Sequence, residues 1–192
     1  MAAPRILAFA GSLRQASYNK RFVKVAAAAA RAAGAEVTEV DLRDFPVPVF
    51  DQDLEDREGL PPNARRLKDL FLAHEGLLIS SPEYNSSIPG VLKNTIDWVS
   101  RAAPGEAELA CFTGKTAGLL SASPGALGGL RSLIHVRAIL GNIGVLVLPE
   151  QVALPKAHEA FNDDGSLKDA KRQATVERLA RRLTELLIKL QS

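Results

Sequence analysis

Short runs of Leu, Ile, Val, Ala and Phe recur along the chain, separated by longer stretches whose apolar positions repeat every three to four residues. The short runs lack polar alternation, as strands buried on both faces of a parallel sheet do, and the longer stretches have the period of helices that cover such faces. Strands are predicted at Arg5 to Ala10, Glu36 to Asp41, Gly76 to Ser80, Thr116 to Ser121 and Val145 to Leu148. Helices are predicted at Lys20 to Ala33, Ala64 to His74, Gly90 to Arg101, Leu127 to Leu140 and Lys168 to Leu190. Strand and helix alternate, so the predicted class is α/β, a doubly wound parallel sheet of five strands with helices on both faces, in one domain spanning residues 1–192.

Local signals agree with this pattern. Asn19 is a favourable residue type to open the first helix, and Gly34 can take the left-handed conformation that closes it. The last helix carries Val176, Leu179, Leu183, Leu186 and Leu190 on one face and Lys171, Arg172, Arg178, Arg181 and Arg182 on the other, the pattern of a packed helix with a solvated side. Leu42 to Pro62 and Pro149 to Gly165 are rich in Pro and acidic residues, lack a period, and read as surface loops. In the first of these, Asp51, Asp53, Glu55, Asp56 and Glu58 invite a calcium reading, but Asp56 and Pro62 stand where the loop glycine and the terminal glutamate would be required.

Composition narrows the function classes. The chain has 192 residues, 46% apolar and 24% charged, with a formal charge of +2. A chain of this length buries about 70% of its unfolded surface without help from disulfides or metals. Near-balanced charge removes the long-range field of a polybasic nucleic-acid binder or a strongly acidic carrier. Cys111 is the single cysteine, so no intrachain disulfide or thiolate cluster is available, and a reducing cytoplasmic location is expected. The run Ile6 to Ala10 is shorter than the about 7 to 15 apolar residues of a secretory signal, and no apolar segment reaches the roughly 20 residues that cross a bilayer. His74, His135 and His158 form no ligand set, so no metal site is expected.

Ligands of such sheets sit beyond the carboxyl ends of the strands, where the strand order reverses. After the first strand the chain reads Gly11-Ser12-Leu13-Arg14-Gln15-Ala16-Ser17-Tyr18-Asn19 and enters a helix. Hydroxyls, a guanidinium and a helix N-terminus can there hold a phosphate, or Ser and Asn can merely cap the helix. It is neither a Walker loop nor a Gly-x-Gly-x-x-Gly fingerprint. After the third strand, Ser81-Pro82-Glu83-Tyr84-Asn85-Ser86-Ser87-Ile88-Pro89-Gly90 is longer than most strand-to-helix links and can face a flat heteroaromatic ring; Glu83 is either part of that site or an exposed or subunit-contact carboxylate. After the fourth, Ser121-Ala122-Ser123-Pro124-Gly125 is one residue short of the hydrolase elbow Gly-x-Ser-x-Gly. Pro124 lacks the N–H that an oxyanion hole needs, so Ser123 is not expected to be a nucleophile, and Gly125, Gly128 and Gly129 allow close approach to a planar ligand.

Taken together, Gly11-Ser12-Leu13-Arg14-x-x-Ser17-x-Asn19 and Ser81-Pro82-Glu83-Tyr84-Asn85-x-Ser87-x-Pro89-Gly90-x-Leu92-Lys93-Asn94-x-Ile96-Asp97-Trp98 resemble the NADPH-dependent FMN reductase family, and within it the bacterial quinone and chromate reductases. The resemblance implies a flavodoxin-like fold of strand order 2-1-3-4-5, bound FMN, NADPH or NADH as reductant, and homodimers or homotetramers. It implies that Ser12, Arg14, Ser17 and Asn19 hold the FMN phosphate and that Pro82, Glu83, Tyr84 and Asn85 lie along the isoalloxazine. Ser123, Gly125, Gly128 and Gly129 correspond to the remaining flavin-side loop, and Arg101 to an arginine that reaches across the subunit interface.

The implied activity moves electrons from reduced nicotinamide to small acceptors: quinones, chromate, azo compounds or free flavin. A cofactor that carries the redox chemistry leaves the protein to bind, orient and polarise, which accounts for the lack of a nucleophile or acid–base dyad among the motifs. Neither nucleic acid nor membrane is an expected partner. The alternatives are a non-catalytic carrier of the flavodoxin kind, against which the balanced charge speaks, and a regulatory role in which flavin reduction reports redox state.

Overall fold

The computed structural model describes residues 2–191. In chain order it contains β1 (Arg5–Ala10), α1 (Tyr18–Ala32), β2 (Glu36–Val40), a 3-10 turn (Leu42–Asp44), α2 (Gln52–Glu58), α3 (Pro62–Leu72) and β3 (Gly76–Ser80). There follow α4 (Gly90–Ser100), β4 (Thr116–Ala122), α5 (Leu130–Asn142), β5 (Leu146–Leu154) and α6 (Ala170–Leu190). The strands form one parallel sheet in the order β2-β1-β3-β4-β5, as expected of a flavodoxin-like fold.

Period-two alternation sends successive side chains of each strand to opposite faces. Ile6, Ala8 and Ala10 of β1 pack with Leu78 and Leu120 under α1 and α6, while Leu7 and Phe9 pack with Leu77, Ile79 and Leu119 under α3, α4 and α5. Both faces are therefore dry, and unbroken apolar runs such as Arg5 to Ala10 are what this burial demands. Small residues set the layer spacing: a Cβ on Gly76 would lie 2.5 Å from Leu187 Cδ1 of α6.

Beyond shifts of one or two residues at the ends of β2, β4, α3, α4 and α6, four elements differ from the sequence reading. β5 continues past Leu148 to Leu154, because an edge strand tolerates Pro149 where its register against β4 shifts between Ala117 and Leu119. α5 begins at Leu130 rather than Leu127, since Gly128 and Gly129 hold φ of 62° and 88° and end the loop only there. Residues 52–58 are helical although they carry no buried residue and hence no apolar period; Asp51 caps this helix by accepting the Asp53 N–H at 2.9 Å, and Asp53 and Glu55 sit favourably in its first turn. The N-cap of α1 is Ser17, and Asn19 lies inside the helix with its amide buried.

The segment before α2 is anchored rather than loose. The Pro48 carbonyl accepts from Asn94 Nδ2 and Trp98 Nε1, both at 2.8 Å, and Asn94 Oδ1 accepts the Phe50 N–H at 2.8 Å. The Phe50 ring meets Trp98 edge-on, at 5.0 Å between centroids. Part of the Leu92 to Trp98 motif thus serves to hold down residues 45–50.

Candidate functional site

At the carboxyl end of the sheet, a single buried amide ties three elements together. Asn19 Oδ1 accepts from the Ser80 hydroxyl at 2.8 Å and the Ala122 N–H at 2.9 Å, and its Nδ2 donates to the Ala122 carbonyl at 2.8 Å. α1 is thereby fastened to the last residues of β3 and β4. The Gly11 N–H donates to the Ser80 carbonyl and the Ser81 N–H to the Leu120 carbonyl, extending the strand ladder into the loops. These bonds fix where the β1, β3 and β4 loops emerge.

Between Gly11 and α1 the chain offers donors and no carboxylate. Ser12 and Ser17 are buried, and Ser12 Oγ accepts the Arg14 N–H at 3.3 Å. Ser17 stands at the N-cap with extended backbone but makes no side-chain cap, and the first turn of α1 holds no acidic residue. The open N–H groups of that turn keep their partial positive charge. The Arg14 guanidinium lies 4.9 Å from the centroid of Tyr18 and has no ion pair among the described residues. This donor set suits a phosphate group, so the residues present fit the terminal phosphate of FMN.

The β3 loop folds back as a two-residue hairpin. Tyr84 and Ser87 exchange both backbone hydrogen bonds at 3.0 Å, with Asn85 and Ser86 at φ of 50° and 67°. Two consecutive non-glycine residues in the left-handed region are costly, and such strain collects at ligand-binding positions. Tyr84 is half-exposed at the hairpin, which Ser87 pins to α5 through its hydroxyl, 2.8 Å from His135 Nδ1.

Glu83 points away from solvent and onto the start of α5. Its carboxylate accepts the Arg131 N–H at 3.1 Å and Arg131 Nε at 2.6 Å, and also pairs with Arg131 Nη2. Burial raises its pKa, but the Arg131 side-chain and backbone donors outweigh that and hold it below the usual carboxylate range. α5 needs this help because its N-cap is Gly129, which has no side chain to offer. Alongside, the Ser81 and Ser132 hydroxyls meet at 2.7 Å. Arg131 and Ser132 escaped the sequence reading, and His135 was weighed there only as a metal ligand; the signal was a helix opened by two glycines, which leaves its first N–H groups in search of a distant cap.

The β4 loop is fixed from behind. The Ser123 N–H donates to the Leu154 carbonyl, and the Ser123 carbonyl accepts from the Ala157 N–H, each at 3.1 Å. Ser123 Oγ accepts the Gly125 N–H at 3.2 Å and has no hydrogen bond to a histidine among the described residues. A Cβ on Gly128 would sit 2.7 Å from the Pro155 nitrogen, and one on Gly129 would sit 1.8 Å from Ser121 Oγ. The freedom of these two glycines is thus used against the protein's own β5 end and Ser121. Gly125 has open space around it beyond Ser123.

Three side chains read from the sequence stand apart from this site. Arg101 is held within its own chain, with Nε 2.7 Å from Glu55 Oε2, Nη2 3.1 Å from Gln52 Oε1 and its guanidinium over Phe50. Cys111 is buried, and burial pushes its thiol pKa up. His74 is buried between the Leu70 carbonyl and the Thr38 hydroxyl. Among the described residues no group of three or more His, Cys, Asp or Glu side chains could hold a metal ion, and no helix is long and apolar enough to cross a membrane.

The five-stranded parallel sheet in the order β2-β1-β3-β4-β5 defines a flavodoxin-like protein, with a donor set after β1 that suits a phosphate and a strained hairpin after β3. The model of the NADPH-dependent FMN reductase family matches residues 4–159, and the chain belongs to that family of flavin-dependent oxidoreductases, which use FMN and reduced nicotinamide. It is 34% identical over 174 residues to an NAD(P)H-dependent FMN reductase of Pseudomonas aeruginosa, covering 90% of this chain and 89% of that one. It is 31% identical over 182 residues to a quinone reductase of Escherichia coli, covering 94% and 92%. Among solved structures, the flavoenzyme NAD(P)H:(acceptor) oxidoreductase FerB of Paracoccus denitrificans superimposes with a TM-score of 0.81 at 28% identity, over 97% of this chain and 98% of that one.

Proposed function

We propose that this chain oxidises NADPH or NADH and delivers the electrons to quinones, with chromate, azo compounds and free flavin as further acceptors. The observation that carries the reading is the open first turn of α1 beside an Arg14 that has no ion pair among the described residues. Ser12, Arg14, Ser17 and the α1 N–H groups bind the FMN phosphate, and Asn19 keeps them in place through its bonds to Ser80 and Ala122. Pro82, Tyr84 and Asn85 lie along the isoalloxazine, Glu83 holds their loop to α5, and Ser123, Gly125, Gly128 and Gly129 form the facing loop. Bound FMN supplies two-electron transfer between the nicotinamide donor and the acceptor. The chain contributes orientation, a rigid strand-end frame, and backbone N–H groups that favour negative charge on the ring.

Leu130 and Ile134, one turn apart on α5, are exposed, as are Leu127 just before that helix and Tyr84 on the hairpin that Ser87 joins to α5, which supports a homodimer or homotetramer formed at this face. Arg101, engaged with Glu55, has no part in that proposal. The lone buried thiol suits a cytoplasmic location.

The test is the visible spectrum of the purified protein. A flavin absorbance that bleaches on NADPH under anaerobic conditions and returns on adding a quinone is expected, with continuous NADPH oxidation in the presence of excess quinone. A protein that takes up no added FMN refutes the reading; one that takes up FMN but turns over no NADPH is a carrier instead.

A further inference from the structure

Behind the β4 loop lies a second cavity of about 470 Å³, with Ala126 of that loop in its wall. Its floor is apolar, made by Leu154, Pro155 and Leu167, and its rim carries Lys156, Lys168 and Arg172. Two acids also line it, and both are engaged. Asp169 caps α6 by accepting the Lys171 and Arg172 N–H groups and pairs with Arg172 at 3.4 Å, while Glu159 pairs with His158 at 2.9 Å. Lys156 and Lys168 have no side-chain hydrogen bond or ion pair among the described residues.

Lys156 is held in a costly conformation. Its φ is 49°, and the turn that imposes this is closed by the Glu159 N–H on the Lys156 carbonyl at 3.0 Å and joined to the β4 loop by the Ala157 N–H on the Ser123 carbonyl. The ammonium is therefore presented from a backbone fixed to the flavin-side loop. Together, an apolar floor and two free ammonium groups match a purine riboside that bears a phosphomonoester: the flat base takes the floor and the dianion takes the lysines.

We propose that this cavity binds the adenosine 2′-phosphate end of NADPH and so sets a preference for NADPH over NADH. The assignment rests on the reading of the β4 loop as flavin-side, since the nicotinamide end must reach the ring from the same loop. It assigns Lys156 and Lys168 as specificity residues; neither touches the reacting atoms.

The experiment is calorimetric titration of the FMN-loaded protein with adenosine 2′,5′-bisphosphate and with adenosine 5′-monophosphate, on the wild type and on Lys156→Asn/Lys168→Gln. Asn is chosen because it tolerates a positive φ; Lys168→Gln alone is the second variant should the pair fail to fold. The wild type should bind the bisphosphate at least about tenfold more tightly than the monophosphate, and the double variant should lose that difference. In steady state the variant's KM for NADPH should rise about tenfold more than its KM for NADH. Equal affinity for the two nucleotides in the wild type, or a preference that survives the double substitution, overturns the proposal. The same titration on FMN-free protein separates the two readings: bisphosphate preference without any FMN uptake leaves this cavity standing and rejects the flavin placement.

Discussion

The carboxylate of Glu83, on the β3 loop, caps α5 by accepting the Arg131 N–H at 3.1 Å while its other oxygen takes Arg131 Nε at 2.6 Å. One residue thus joins the β3 loop to the start of the helix that follows the β4 loop. Glu83→Gln keeps the shape but removes the charge that favours a helix N-terminus and the arginine; a stability loss of about 1 to 2 kcal/mol is expected, read as a lower denaturant midpoint. A double-mutant cycle with Arg131→Ala should show coupling above about 0.5 kcal/mol, and strictly additive effects would contradict a shared role.

Acid should weaken the fold through carboxylates whose pKa is depressed. Hydrogen bonds from Lys68 and Arg65 hold Glu106 at about 2, and at Asp41 burial pushes upward but donors on Arg43 and Lys20 bring the value to about 2. Because the unfolded chain takes up these protons first, the stabilisation is complete above the ordinary pKa of about 4 and disappears as pH falls toward 2. Denaturant unfolding from pH 7 down to pH 2.5 should show stability dropping below about pH 4.5, and Glu106→Gln should flatten part of that slope. A pH-independent midpoint across this range would refute the assignment.

Lys68 is the buried partner in that network. Its ammonium is 2.7 Å from Glu106 Oε2 and also donates to the Arg101 carbonyl, and it is only 2% exposed. Glu106→Gln strands this cation and should cost about 3 to 5 kcal/mol at neutral pH, whereas Lys68→Met combined with Glu106→Gln should recover much of the loss. Thermal unfolding of the single and double variants checks the order.

Arg14 and Asn19 should separate binding from stability. Arg14→Ala removes an exposed guanidinium that has no ion pair among the described residues, so FMN affinity should fall by about 1.5 to 3 kcal/mol with little change in apoprotein melting. Asn19→Ala deletes three buried hydrogen bonds and leaves the Ala122 N–H unsatisfied, so the apoprotein itself should lose about 2 to 4 kcal/mol. Fluorescence titration with FMN and apoprotein melting curves report the two effects; equal melting losses in both variants would argue against the division.

Gly129→Ala should be among the most damaging small substitutions. At φ 88° the new Cβ is strained and would stand 1.8 Å from Ser121 Oγ, so a loss of more than about 3 kcal/mol is expected. Adding Ser121→Gly should recover the steric part and leave the backbone part. Circular dichroism melts of the two variants decide this.

The sequence alone determined the layers and the strand assignments, since a strand buried on both faces and a helix buried on one must write their periods into the chain; the resemblance added the strand order. The motifs after β1 and β3 stood out in the sequence as candidate sites, because a run of hydroxyl and guanidinium donors entering a helix and an overlong strand-to-helix link are visible without the fold. Tertiary structure decided which of those side chains stay open and which are engaged within the protein. Asn19 is an interior strut, Glu83 a distant helix cap, Gly128 and Gly129 packing devices, and Asn94 and Trp98 anchors for residues 45–50. Helix α2 left no trace in the apolar pattern because it buries nothing. A one-dimensional pattern records how much of a side chain must leave water, but a hydrogen-bond partner up to 103 residues away is set only when the sheet brings strand ends together.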